Sequence, residues 1–256
     1  MVTLFILILV FIVLAIALVI FLLKNDRGKK EPVYALWMAA GFGILGAVAA
    51  TLIEKALIPL SSTRVGTPLP HLLFSFLGIG LIEESLKFLP LAIVLFPKKY
   101  FNEHIDGIIY FAIAGLSFGL PENILYTMQF GTKAGLGRLI MTPIFHAALT
   151  SMAGYYLAKA KLAGRSPFTI WPVFIAAVLL HGLYDFGLTS GVTVFTYMSV
   201  IITIALSASF FHLYFRSQEL DEDMGLSAVG HNEYCRACGF KNSQHYLYCT
   251  HCGQRA

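Results

Sequence analysis

Apolar runs of about 20 residues recur along most of this chain, and each is long enough to cross a bilayer. In hydrocarbon no water satisfies the peptide groups, so a spanning run of this length folds as a helix with its backbone bonded internally. Seven spans are expected, at about 2–23, 33–53, 71–96, 107–128, 139–158, 169–187 and 192–215. Composition agrees: 57% of the 256 residues are hydrophobic and 12% are charged, about half the charge of a soluble domain. The first run lacks a basic leader and a small-residue cleavage site, so it reads as an anchor rather than a removed signal peptide. The fold class that follows is an all-α, polytopic membrane bundle.

The net charge of +4 is not a nucleic-acid signal, because most basic residues sit in short loops between spans. One set of alternate loops holds ten of them, at Lys24, Arg27, Lys29, Lys30, Lys98, Lys99, Lys159, Lys161, Arg165 and Arg216. The other set holds four, at Lys55, Arg64, Lys133 and Arg138. The basic side faces the cytoplasm, which places the N-terminus outside and the C-terminal tail inside.

Beyond the last span the character changes. An anchor span with its basic loop (1–32) and a helical membrane domain (33–215) precede an acidic linker at 216–233 and a cysteine-rich module at 234–256. All four cysteines lie in that module, as Cys235-x-x-Cys238 and Cys249-x-x-Cys252. Four thiolates close a tetrahedral zinc site, and Gly239 and Gly253 supply the tight turns after each pair. Two disulfides are the rival pairing, disfavoured in a reducing cytoplasm. A closed four-cysteine site has no open position, so this zinc ribbon is structural, a module suited to a cytoplasmic protein partner. His251 lies inside the second pair and is a bystander there.

Ionisable residues inside the spans are the functional signal. Span three carries Glu83, Glu84 and Lys87, span four Glu122 and Asn123, span five His146, and span six His181 and Asp185. One ionised side chain at the bilayer centre costs at least about 2.5–3.5 kcal/mol. Four carboxylates bearing that cost must face one another, a cation or a wet cavity. Glu83 and Glu84 precede Lys87 by four and three positions, and His181 precedes Asp185 by four, so each set shares a helix face. By rise per residue, His146, His181 and Glu122 fall roughly 8–12 Å from the outer surface, with Glu83 and Glu84 near the midplane. The cluster is expected to open outward.

Two motifs match by letter and fail by context. Gly41-x-Gly43-x-x-Gly46 lies within an apolar span with no preceding strand, so it is a packing surface rather than a dinucleotide fingerprint. Gly115-x-Ser117-x-Gly119 sits mid-helix, where a close-packing glycine pair explains it better than a nucleophile elbow.

Taken together, Glu83-Glu84-x-x-Lys87, Phe118-x-x-x-Glu122-Asn123, His146 and His181-x-x-x-Asp185 resemble the PrsW family of intramembrane proteases, related to the wider CAAX-protease-like superfamily. The resemblance spans about residues 35–215 and leaves the cysteine module outside. It implies hydrolysis of a membrane protein near the extracytoplasmic face, as in release of an anti-sigma factor. Peptide hydrolysis needs a water-activating base, for which Glu83 and Glu84 are the candidates. His146 and His181 would stabilise the oxyanion or bind metal, with Asp185 orienting His181 and Glu122 and Asn123 completing the site. Four carboxylates against Lys87 leave three negative charges, so either protons are shared or a divalent ion binds. The sequence leaves both open. A proton-coupled transporter is the alternative function, since buried carboxylates and histidines also relay protons.

Overall fold

The computed structural model describes residues 2–57, 68–139, 141–226, 238 and 251–254, and no strand occurs among them. Helix α1 (Val2–Asn25) and α2 (Val33–Leu57) are followed by α3 (Pro68–Phe74), a π-helical stretch (Ser75–Gly80) and α4 (Leu81–Leu95). Then come α5 (His104–Phe130), the short α6 (Thr132–Arg138), α7 (Met141–Leu162), a 3-10 turn (Pro167–Ile170), α8 (Trp171–Thr189) and α9 (Thr193–Asp223).

Among the described residues, five helices are long and apolar enough to cross a membrane: Thr3–Asn25, Val33–Leu57, His104–Phe130, Pro167–Thr189 and Thr193–Asp223. The stretches expected as spans three and five are helical but do not join these five. The first is interrupted by the π turn, and the second dilutes its apolar character with Thr142, His146, Thr150 and Ser151. Helix α9 runs to Asp223, and Ser217, Gln218 and Asp221 on its last turns are buried. The acidic segment expected as a linker from 216 therefore begins as helix packed on the bundle. Cys235 and Cys249 lie outside the described residues.

Helix α5 is the axis of the bundle, buried from His104 to Gly119 apart from Ser117. Glycines let its neighbours approach to backbone contact. A Cβ on Gly107 would lie 2.2 Å from the Gly154 carbonyl oxygen, and one on Gly115 would lie 2.4 Å from the His146 carbonyl oxygen. A Cβ on Gly43 would meet the Ala114 carbonyl oxygen at 2.2 Å, whereas Gly41 has nothing within 4 Å. Both glycine motifs thus act as packing faces, and the α5–α7 contact fixes His146 at its own backbone.

The π turn serves a second crossing. Gly182 on α8 faces Phe76, and Gly80 faces the Val178 carbonyl, so α8 lies directly against the widened turn. Wide turns of this kind re-phase a helix by one residue. Here the re-phasing falls just ahead of Glu83 and Glu84 and directs that pair toward His181.

At the other end of the bundle, acids tie the 26–32 loop and the end of α9 to the start of α5. Glu103 accepts from the Lys29 amide at 2.9 Å, and Asp221 accepts from the His104 and Ile105 amides at 2.8 and 3.0 Å. Burial, with the Asp106 charge adding to it, pushes the Glu103 carboxyl up to about 8. A carboxyl raised in the folded state stabilises it fully below its ordinary value and loses that contribution as pH rises through the raised one. Melting temperature in detergent should fall between pH 4.5 and about 8, and Glu103→Gln should flatten that slope. Separately, Gly115→Val should cost about 1–3 kcal/mol or more by overpacking. Gly41→Ala should leave the melting temperature unchanged.

Candidate active site

Charge inside the bundle centres on Lys87. Its ammonium donates to Glu83 Oε2, Glu84 Oε1 and His146 Nδ1, each at 2.9 Å, and lies 4.0 Å from the centre of the Phe118 ring. All three ammonium hydrogens are used, on a side chain with no exposure. The spacing of α4 explains two of these bonds, since residues three and four apart share a face. The third crosses to α7.

An ammonium only donates, so His146 accepts at Nδ1 and carries its hydrogen on Nε2 when neutral. That Nε2 lies 2.6 Å from Glu122 Oε2. The other Glu122 oxygen accepts from Arg138 Nη2, and Arg138 Nε donates to Asn123 Oδ1 at 3.1 Å. The guanidinium lies 4.3 Å over the Tyr126 ring. On the far side, His181 Nδ1 meets Glu84 Oε1 at 2.7 Å, while its Nε2 faces Glu83 Oε2 at 3.5 Å and Asp185 Oδ2 at 3.3 Å. The last pair is close without hydrogen-bond geometry, and Asp185 Oδ2 has no hydrogen-bond partner.

Phe145 stacks on Tyr184 at 3.9 Å and meets the His181 ring edge-on at 5.3 Å, which holds the imidazole in a packed wall. Asn123 is fully buried, and its Nδ2 is also without a partner.

All eight residues expected from sequence therefore belong to one connected cluster. They do not all reach one cavity. A polar cavity of about 470 Å³ is lined by Glu83, Glu122, Asp185 and Arg138, with Thr51, Glu54 and Tyr126 among its other walls. Glu84, Lys87, His146 and His181 are not on its lining; each is buried. Two residues were missed. Arg138 reads in the sequence as a loop charge, yet α6 folds back and carries it to Glu122 at one-tenth exposure. Glu54 lies one residue past the expected end of span two and faces the same cavity, with Oε1 buried and unpartnered. The unbalanced charge of the expected set was the one signal that a cation was missing.

Glu83, His146 and His181 each offer a ligand atom, and those atoms all lie within 4.8 Å of one another. Two imidazoles and one carboxylate with an open position form a donor set of the kind that holds catalytic zinc. Each imidazole has its other nitrogen near a carboxylate, Glu122 for His146 and Glu84 for His181, the usual outer support of metal-ligating histidines. Five carboxylates (Glu54, Glu83, Glu84, Glu122, Asp185) against Lys87 and Arg138 still leave an excess of negative charge suited to a divalent cation.

A helical bundle with apolar spans that encloses carboxylates, imidazoles and a buried ammonium beside a polar cavity has the groups that peptide hydrolysis within a membrane requires. The model of the PrsW family of intramembrane metalloproteases matches residues 31–209, and the chain belongs to that family. It is 33% identical over 177 residues to Protease PrsW of Bacillus subtilis (strain 168), covering 68% of this chain and 79% of the relative. It is 30% identical over 171 residues to Protease PrsW of Clostridioides difficile (strain 630), covering 64% and 71%. It is 29% identical over 194 residues to Protease PrsW of Oceanobacillus iheyensis, covering 74% and 87%. No solved structure gives a significant match. The chain is a multi-pass membrane peptidase, and these relatives do not favour the transporter reading.

Breaking a buried ion pair on one side costs about 3–5 kcal/mol, because the partner charge is left unpaired. Lys87→Met should therefore lower the melting temperature sharply, and pairing it with Glu84→Gln should recover part of the loss.

Proposed function

We propose that this peptidase cleaves a membrane-protein substrate within the cavity flanked by Glu83, Glu122 and Asp185, on the extracytoplasmic side. The observation that carries the reading is the convergence of the α4 carboxylates with His146 and His181 around Lys87, immediately behind a polar cavity. Glu83 is the α4 carboxylate on the cavity wall, and in the metal-free form it accepts the proton of the attacking water. Glu84 is enclosed and holds Lys87 and His181 in place. Asp185 steers His181, whose Nε2 side faces the cavity carboxylates. Arg138 and Asn123 fix Glu122, and Glu122 fixes His146. Lys87 keeps the pair of α4 carboxylates compatible with a low-dielectric interior.

Where a divalent ion is bound, Glu83, His146 and His181 would hold it, and Lys87 would yield the His146 nitrogen that faces it. When bound, such an ion supplies Lewis acidity toward a peptide carbonyl. Shared protons among the carboxylates are the metal-free reading of the same charge excess.

Around this centre the protein takes the seven-span form, with α3–α4 and α7 crossing the bilayer beside the five more apolar helices. The N-terminus lies outside. The cavity opens where α2, α5 and α8 end, the side on which the loops carry few basic residues. Cys235, Cys238, Cys249 and Cys252 bind a structural zinc in a cytoplasmic ribbon suited to a protein partner. The substrate class suggested by resemblance is a single-pass anti-sigma factor.

Purified protein in detergent should cleave a single-pass candidate substrate. Glu84→Ala should abolish cleavage, and retained activity in that variant would overturn the assignment. Glu83→Gln should lower kcat by at least about 100-fold, the scale of a general base. Chelation should be tested on a chain ending at residue 226, so that the ribbon's zinc is absent and the packed end of α9 is kept. Loss of cleavage restored by one divalent ion supports the metal-bound form, and chelator-resistant cleavage supports shared protons.

A further inference from the structure

Away from the polar cavity, an apolar groove of about 400 Å³ runs between the second half of α4 and the 3-10 turn that leads into α8. Phe88, Ala92, Phe96, Leu157, Phe168 and Trp171 are among its walls, and every lining side chain is apolar. In hydrocarbon an apolar surface does not choose its occupant by hydrophobicity, since lipid tails are equally apolar. Selectivity has to come from the rim.

The rim is basic. Lys98 and Lys99 follow the groove residue Pro97, and Arg165 stands two positions before the groove residue Pro167. Lys161 links the two loops. Its Nζ donates to the Lys98 carbonyl and lies 6.0 Å from the centre of the Phe96 ring. The sequence contains no Asp or Glu between Glu84 and Glu103, or between Glu122 and Asp185. The carboxylate whose charge Lys161 feels, Asp106, is buried and accepts from the Glu103 amide at 2.8 Å. Phe168 and Trp171, 71% and 46% exposed, are the groove-wall aromatics that follow Arg165 in sequence, the residue types that favour headgroup level.

We propose that this groove holds an acyl chain of an anionic phospholipid whose headgroup is bound by Lys98, Lys99, Lys161 and Arg165. An apolar slot with cations only at its mouth matches the two ends of that molecule. It gives the peptidase an anionic-lipid site separate from the polar cavity.

Trp171 is a built-in reporter, because the chain has one other tryptophan, Trp37. A Trp37→Phe protein would be reconstituted into phosphatidylcholine vesicles containing brominated-acyl phosphatidylglycerol or brominated-acyl phosphatidylcholine at equal fractions. Phosphatidylglycerol should quench Trp171 at a several-fold lower fraction. Adding Lys98→Gln and Lys161→Gln should erode that preference by roughly fivefold for each charge removed. Should that pair not fold, Lys99→Gln with Arg165→Gln, both at exposed positions, tests the same rim. Equal quenching by the two lipids would overturn the proposal in favour of unselective filling. Absence of quenching by either would overturn it in favour of a protein segment covering the groove.

Discussion

The bundle tolerates acids in its interior because one ammonium group satisfies three acceptors at once. Lys87 bonds two carboxylates of its own helix and an imidazole of another, with an aromatic face beside it. Remove that charge and Glu83 and Glu84 share only the His181 imidazole in a low-dielectric space, an excess of anions that a folded protein avoids by protonation or unfolding. The positions of His146 and His181 follow from the same centre, since one imidazole bonds Lys87 and the other bonds Glu84.

The scaffold that holds this centre is built by the smallest side chains. Gly107 and Gly115 bring α5 onto α7, Gly43 brings α2 onto α5, and Gly80 with Gly182 brings α8 onto the π turn. With backbones in contact, the imidazoles and carboxylates sit on helices that have little room to slide. Donor geometry of a few tenths of an ångström is thereby set by main-chain packing, the rigid support that a preorganised site requires.

Much of this was legible in the sequence because membranes make polar residues conspicuous. Glu83, Glu84, Lys87, Glu122, Asn123, His146, His181 and Asp185 each interrupt an apolar run, and helical spacing grouped them. Arg138 and Glu54 escaped for the opposite reason: both sit at the ends of runs, where charge is ordinary. Which loop residue turns inward depends on α6 folding back, and nothing in the local pattern of Thr132–Arg138 announces that turn. The π stretch was equally hidden, because Ser75–Gly80 lies within a continuous apolar run in which a one-residue shift of phase leaves no mark. The extension of α9 past Arg216 was hidden by its acids, two of which, Asp221 and Glu222, bond to the α5 N-terminus and to Arg27.

The site also has an order of assembly written into its sequence separations. Glu122 meets Arg138 and His146 across 16 and 24 residues, whereas Glu84 meets His181 across 97. Local contacts close early and distant ones late, because loop closure must precede the contact that rewards it. The Glu122–His146 half can form once α7 has packed on α5. Glu83 and Glu84 wait for α8. Through that interval α4 carries its own counter-ion three and four residues away, so the helix that brings the acids into the bundle also shields them until their partner arrives.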